Sequence, residues 1–205
     1  MSDARRTPAQ VWGEMSRGNE RFVSGAPKHP RQDAERRAEL AGSQAPHAAL
    51  FGCSDSRLAA EIIFDKGLGD LFVVRNAGQV ISESVIASLE YAVAVLDTPL
   101  IVVLAHDTCG AVAAAIGLDD PEAAPLPPHI AGHIAGIRPA VRSVPSRDPD
   151  EVGRAHLART VHALVERSEL ISDAIAAGTL AVVGANYRLA QGRVTPDVVV
   201  GSIES

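Results

Sequence analysis

The sequence predicts an α/β fold with a central, mostly parallel β-sheet flanked by helices. Three observations carry that expectation. From residue 47 onward, short aliphatic runs alternate with helix-like stretches. The runs are nearly continuous in Ala, Val, Ile and Leu, the pattern of strands buried on both faces. Helical segments separate the runs, as crossovers between parallel strands require.

Taken in order, Thr7-Pro8-Ala9-Gln10 is a capping-box start with Pro in the first helical position. Val11, Met15 and Phe22 then recur at helical intervals on a polar background. Such a helix has limited means of burying its own apolar face, which points to packing on a partner subunit. Gly25–Arg31 is a Gly/Pro-rich connection, and a charged helix is expected over Gln32–Ala41. The expected strands are His47–Gly52, Asp70–Arg75, Leu100–His106 and Thr179–Gly184. Between them lie the helical stretches Leu58–Asp65, Ser82–Leu96 and Cys109–Gly117, and a long helical region over Asp150–Ala177. Arg193–Gly201 adds an edge strand, where Pro196 is tolerated. Asp119–Pro128, rich in Pro and acidic residues, reads as a surface loop. Ile130, Ile134, Ile137 and Val141 after it form a helical stripe. There is no internal repeat.

A chain of 205 residues is expected to form one domain with a substantial core, here a helical arm over 1–45 and an α/β core over 46–205. Aromatics make up only 3%, so that core must be aliphatic. A net charge of −6 without any Lys/Arg run argues against nucleic-acid binding. No segment reaches the roughly 18 uninterrupted apolar residues of a membrane span. Twin arginines stand at Arg5-Arg6, but Trp12, Glu14 and Arg17 follow where the apolar stretch of a leader would lie. The expectation is a cytoplasmic protein, in which two cysteines stay reduced or bind metal.

Those two cysteines carry the chemistry. Cys53 ends one strand-like run in Cys53-Ser54-Asp55-Ser56-Arg57, and Cys109 follows another in His106-Asp107-Thr108-Cys109. In open α/β sheets, ligands bind beyond the carboxyl ends of parallel strands. Cys53 and Asp55 share a turn, while His106 and Cys109 are three apart across a strand-to-helix transition. If the strands are neighbours, two thiolates, an imidazole and a carboxylate converge, a set that suits tetrahedral Zn²⁺ with one exchangeable oxygen ligand. Singly, a buried cysteine is often a small hydrophobe and His106 a satisfied strand-end residue. Their joint placement favours a metal site, and the absence of Cys-x-x-Cys argues against a redox pair.

Cys53-Ser54-Asp55-Ser56-Arg57 paired with His106-x-x-Cys109 resembles the signature of the β-class carbonic anhydrases. The similarity extends through Ala60–Asp65, Gly69–Gly78 and Ser88–Ala92, and is strongest over 47–117. The resemblance implies that Cys53, His106 and Cys109 hold Zn²⁺ permanently. The fourth position is then taken by water or by Asp55, with Arg57 gripping Asp55 away from the ion. It implies reversible hydration of CO₂ to bicarbonate and a proton, through hydroxide made available by zinc. Two thiolates offset the ion's charge, so activity is expected to rise from neutral to alkaline pH. The resemblance further implies a homodimer or dimer of dimers in which N-terminal helices wrap the partner. Some members have a bicarbonate pocket with a Trp where this chain has Leu50, although Arg75 matches its Arg. Relatives that hydrolyse carbonyl sulfide or carbon disulfide leave that alternative open, beside a non-catalytic zinc-stabilised binding module. His29, His129, His133, His156 and His162 are read as ordinary surface or helix residues.

Overall fold

The computed structural model describes residues 6–118, 120 and 122–204. Its strands are β1 (Ala48–Cys53), β2 (Leu71–Asn76), β3 (Leu100–His106), β4 (Ala181–Arg188) and β5 (Arg193–Val200). They form one sheet in the order β2-β1-β3-β4-β5. The first four run parallel, and β5 returns antiparallel along β4. The helices are α1 (Pro8–Val23), α2 (Ala34–Glu39), α3 (Ala60–Ile63), α4 (Glu83–Ala94), α5 (Gly110–Gly117), α6 (Pro128–Ile134), α7 (Arg138–Ser143), α8 (Pro149–Arg167) and α9 (Glu169–Ala176).

Strand periodicity divides the aliphatic residues between two layers. Leu50, Leu100, Val102 and Leu104 face one layer, closed by Val11 and Met15 of α1, Val112 and Ala115 of α5, and Ile137. Phe51, Ile101 and Val103 face the other, closed by Leu89 of α4, Leu157 and Val161 of α8, and Ile171 of α9. Every residue of β1 and β3 is buried, which is why these runs show no polar alternation. The chain steps from β1 to β2 on one side and then to β3 on the other. The carboxyl ends of β1 and β3 therefore flank the point where strand order reverses, the usual ligand crevice of such sheets.

Four expected boundaries move, each for a local reason. The helix expected from Leu58 is only α3, because Arg57 and Leu58 donate their amides to the Asp55 side chain and carbonyl in a turn. The region 150–177 is two helices, broken at Ser168, whose hydroxyl caps α9 through the Ile171 amide and donates to Glu90 at 2.6 Å. The stripe from Ile130 to Val141 is interrupted by a 3₁₀ turn at Ala135–Ile137, where Pro139 cannot continue the hydrogen-bond ladder. Ile130 remains 49% exposed. The strand expected at Thr179 starts at Ala181, because the amides of Thr179 and Leu180 donate to the Ala174 carbonyl at the end of α9, and it runs on to Arg188 beside β3 and β5. Pro196 sits where the β4/β5 register shifts, as expected of an edge.

The capping box at Thr7 and Gln10 is present in both directions. The apolar face of α1 corrects one expectation, because its own chain covers it. Val11 and Met15 are fully buried, and Asn19 ties the helix to the carbonyls of Ile63 and Gly192 and the amide of Val194. The connection after α1 is pinned from below. Asp65 accepts the amides of Lys28 and His29 and pairs with Arg21, while Asp70 takes Arg31. Gly18 lets α1 lie directly on the Phe64 carbonyl, since a Cβ there would stand 1.9 Å from that oxygen. Gly18→Ala is expected to lower stability by about 2 kcal/mol, overpacking outweighing the gain in helix propensity. Urea unfolding checks this, and an unchanged midpoint would contradict the close approach.

Candidate metal centre

β1 delivers Cys53 at its last residue, and β3 delivers His106 at its own. Cys109 follows three residues later as the N-cap of α5, at the positive end of that helix. The Sγ atoms of Cys53 and Cys109 and a ring nitrogen of His106 all lie within 4.8 Å of one another, and the three residues are 4–5% exposed. Ligand atoms on a tetrahedral zinc lie about 3.8 Å apart, so a small contraction seats the ion.

The donors fit a cation by their chemistry as well. His106 Nδ1 lies 2.8 Å from the Asp107 carbonyl, which fixes its proton there and leaves Nε2 as a lone pair. That Nε2 is buried without a hydrogen-bond partner. Its neighbours are the two sulfurs and, at 4.0 Å, the Asp55 carboxylate. The thiols are split by their contact. The Cys109 sulfur, with amides of Gly78 and Asp55, holds the Cys53 thiol down at about 4 against its burial. The Cys53 sulfur and burial push Cys109 well up. A bound cation would favour the thiolate form of both sulfurs.

Asp55 stands beside this cluster, outside the group of three. Arg57 grips it bidentately, Nε to Oδ1 at 2.9 Å and Nη2 to Oδ2 at 2.7 Å, and its backbone amide adds a third bond at 2.9 Å. The guanidinium holds the Asp55 carboxyl well below the usual carboxylate range. Arg57 also reaches toward the Thr108 carbonyl at 3.5 Å, so one side chain touches both motif loops. Arg75 lies beside the same turn. Its guanidinium donates to the carbonyls of Cys53 at 2.9 Å and Asp55 at 2.7 Å, bracing the turn that carries both. Leu50, at the expected Trp position, is buried in the core.

The sequence resemblance reaches Ala77-Gly78 but gives the segment Ala77-Gly78-Gln79-Val80 no role at the site. Asn76 closes it by donating to the Val80 carbonyl and accepting the Val80 amide, each at 2.8 Å. Gly78 adopts φ +79°, and its amide donates to Cys53 Sγ at 3.3 Å. A Cβ at Gly78 would meet Ala111 at 2.7 Å and Ile137 at 2.9 Å, so only glycine fits. His133 and His156 bond to the carbonyls of this segment. No spacing in the chain signals those bonds, which span 56 and 78 residues. A surface groove lies away from this centre, between α1 and Ile203, and is lined by Gln10, Trp12 and Arg17.

Comparison with known proteins agrees with this geometry. The family model described as carbonic anhydrase matches residues 48–194. Carbonic anhydrase 2 of Mycobacterium tuberculosis is 48% identical over 200 residues, covering 96% of each chain. The Coccomyxa β-carbonic anhydrase solved with acetazolamide is 28% identical, covers 80% of this chain and 78% of its own, and superposes with a TM-score of 0.70. A structure from a study of two tetrameric β-carbonic anhydrases of Sordaria macrospora is 25% identical, with coverage of 78% and 84% and a TM-score of 0.69. Fold, cysteine–histidine cluster and sequence identity agree: the chain belongs to the β-class carbonic anhydrases.

Proposed function

We propose that this enzyme interconverts CO₂ with bicarbonate and a proton, using zinc held by Cys53, His106 and Cys109. One observation carries the reading: the buried, unpartnered Nε2 of His106 faces two sulfurs, with a tethered carboxylate alongside. Two thiolates and an imidazole are the donors zinc prefers. A bound zinc ion supplies a Lewis acid that makes hydroxide available near neutral pH.

The chain's own residues do the rest. Arg57 keeps Asp55 ionised and turned toward itself, so the fourth position stays open. Asp55 would then accept a hydrogen bond from the attacking hydroxide, which aims the oxygen lone pair at the carbon of CO₂. Released from Arg57, Asp55 is close enough to His106 to take the fourth position and shut the site. Arg75 fixes the turn on which this choice is made. The apolar packing around both cysteines, including Val80 and Val112, keeps bulk water away.

We also read the enzyme as one domain, cytoplasmic, and a homodimer or dimer of dimers. The surface groove beside α1 that half-buried Trp12 lines, and the tetrameric relatives, support the assembly. No helix of the described residues is long and apolar enough to cross a membrane.

Stopped-flow CO₂ hydration on zinc-quantified protein tests the reading, beside carbonyl sulfide hydrolysis. Activity is expected to rise between pH 7 and 9. Asp55 does not cause that rise: its carboxyl is lowered, so it is already ionised throughout this window and would lose its charge only in strong acid. Zinc bound without hydration at alkaline pH, or a flat profile from pH 7 to 9, would count against the proposal.

A further inference from the structure

We propose that His133 is a positioning residue for the metal centre and acts on the Cys53 sulfur through a single peptide group. This rests on the zinc reading of the same site. The peptide between Ala77 and Gly78 has a bond at each end. Its carbonyl, on Ala77, accepts from His133 Nε2 at 2.8 Å. Its amide, on Gly78, donates to Cys53 Sγ at 3.3 Å. A donor on the carbonyl polarises the amide and makes its N–H a stronger donor in turn. His133 thereby withdraws electron density from the Cys53 thiolate without touching it.

His156 secures the arrangement from the other side. Its Nε2 lies 2.7 Å from the Gly78 carbonyl, so it fixes the rotation of the next peptide. His156 is 4% exposed, and burial lowers its affinity for a proton, so it stands as a neutral donor. The two histidines come from α6 and α8 and meet on consecutive carbonyls. With Asn76 closing the segment and Ala111 and Ile137 packed on Gly78, the amide has one direction available, toward the sulfur. Hydrogen bonds to a ligating atom tune its basicity and its hold on the ion, as outer partners do in metal sites generally.

The test uses the full chain with His133→Ala and His133→Gln, because His133 is only partly buried and its loss spares the core. The glutamine amide can still donate to the Ala77 carbonyl, whereas alanine cannot. Two readouts are taken: zinc transfer to a chelator, and the sulfur-to-metal charge-transfer band of the cobalt(II)-substituted protein. His133→Ala is expected to release zinc about tenfold faster and to move the band to lower energy, because the sulfur becomes more electron-rich. His133→Gln is expected to restore both. Unchanged release with an unmoved band overturns the proposal. So does faster release in both variants with no band shift, which would mean general loosening. A native protein that binds neither zinc nor cobalt at the cluster would overturn the metal reading itself, a result visible before any variant is made.

Discussion

Cys109→Ser protein is expected to fold, to lose its zinc on dialysis, and to hydrate CO₂ no faster than solvent background, a loss of at least about a thousandfold. The substitution separates two roles that Cys109 combines. It stands as the N-cap of α5, and serine is among the best residues for that position. As a proposed ligand it supplies a thiolate, which a hydroxyl cannot replace at neutral pH. The two remaining donors, Cys53 and His106, would leave half of a tetrahedral shell to water. Zinc assay, stopped flow and thermal melting on the same sample check the prediction. Full zinc occupancy with native turnover in Cys109→Ser would remove this cysteine from the ligand set.

Arg57→Ala is expected to keep its zinc and lose about a hundredfold in hydration rate, the scale of removing one oriented polar group from a site. The guanidinium makes two short bonds to the Asp55 carboxylate, and its loss leaves that carboxylate only the Arg57 backbone amide. Asp55 is then free to turn toward the cluster, 4.0 Å from His106 Nε2, and occupy the position needed for reaction. A lysine at 57 offers one point charge in place of the planar fork and is expected to recover the rate only in part. Azide binding to the cobalt(II) form distinguishes closure from simple loss of charge. Arg57→Ala should weaken azide binding, and adding Asp55→Ala should restore it, a non-additive pair. Native turnover in Arg57→Ala, or azide binding that the second substitution does not change, would dissociate Arg57 from the gate.

The two candidate-site motifs were legible because they are local. Cys53, Asp55 and Arg57 lie within five residues at the end of one aliphatic run, and His106 and Cys109 lie within four at the end of another. A strand buried on both faces has to be aliphatic throughout, so β1 and β3 announce themselves and place their final residues at the sheet's carboxyl edge. Boundaries were less legible where a side chain competed with the backbone. The Asp55 turn shortened α3, and Ser168 split the long helical region in two. The burial of Val11 and Met15 within the chain was not legible, because the layer that covers them comes from elements distant in sequence.

The sequence alone determined the sheet, the two strand ends and the set of atoms available for a metal. Only the tertiary structure decided how those atoms are held. Arg75 spends its donors on the carbonyls of Cys53 and Asp55, and His133 and His156 converge on the segment that caps Cys53. The physical reason is the partner each bond uses. All four of these bonds end on main-chain carbonyls, which every residue possesses, so no residue type at positions 53, 55, 77 or 78 marks the acceptor in advance. A ligand set is written in side chains and can be read from spacing. The bonds that fix it are written in backbone and become visible once the chain has folded.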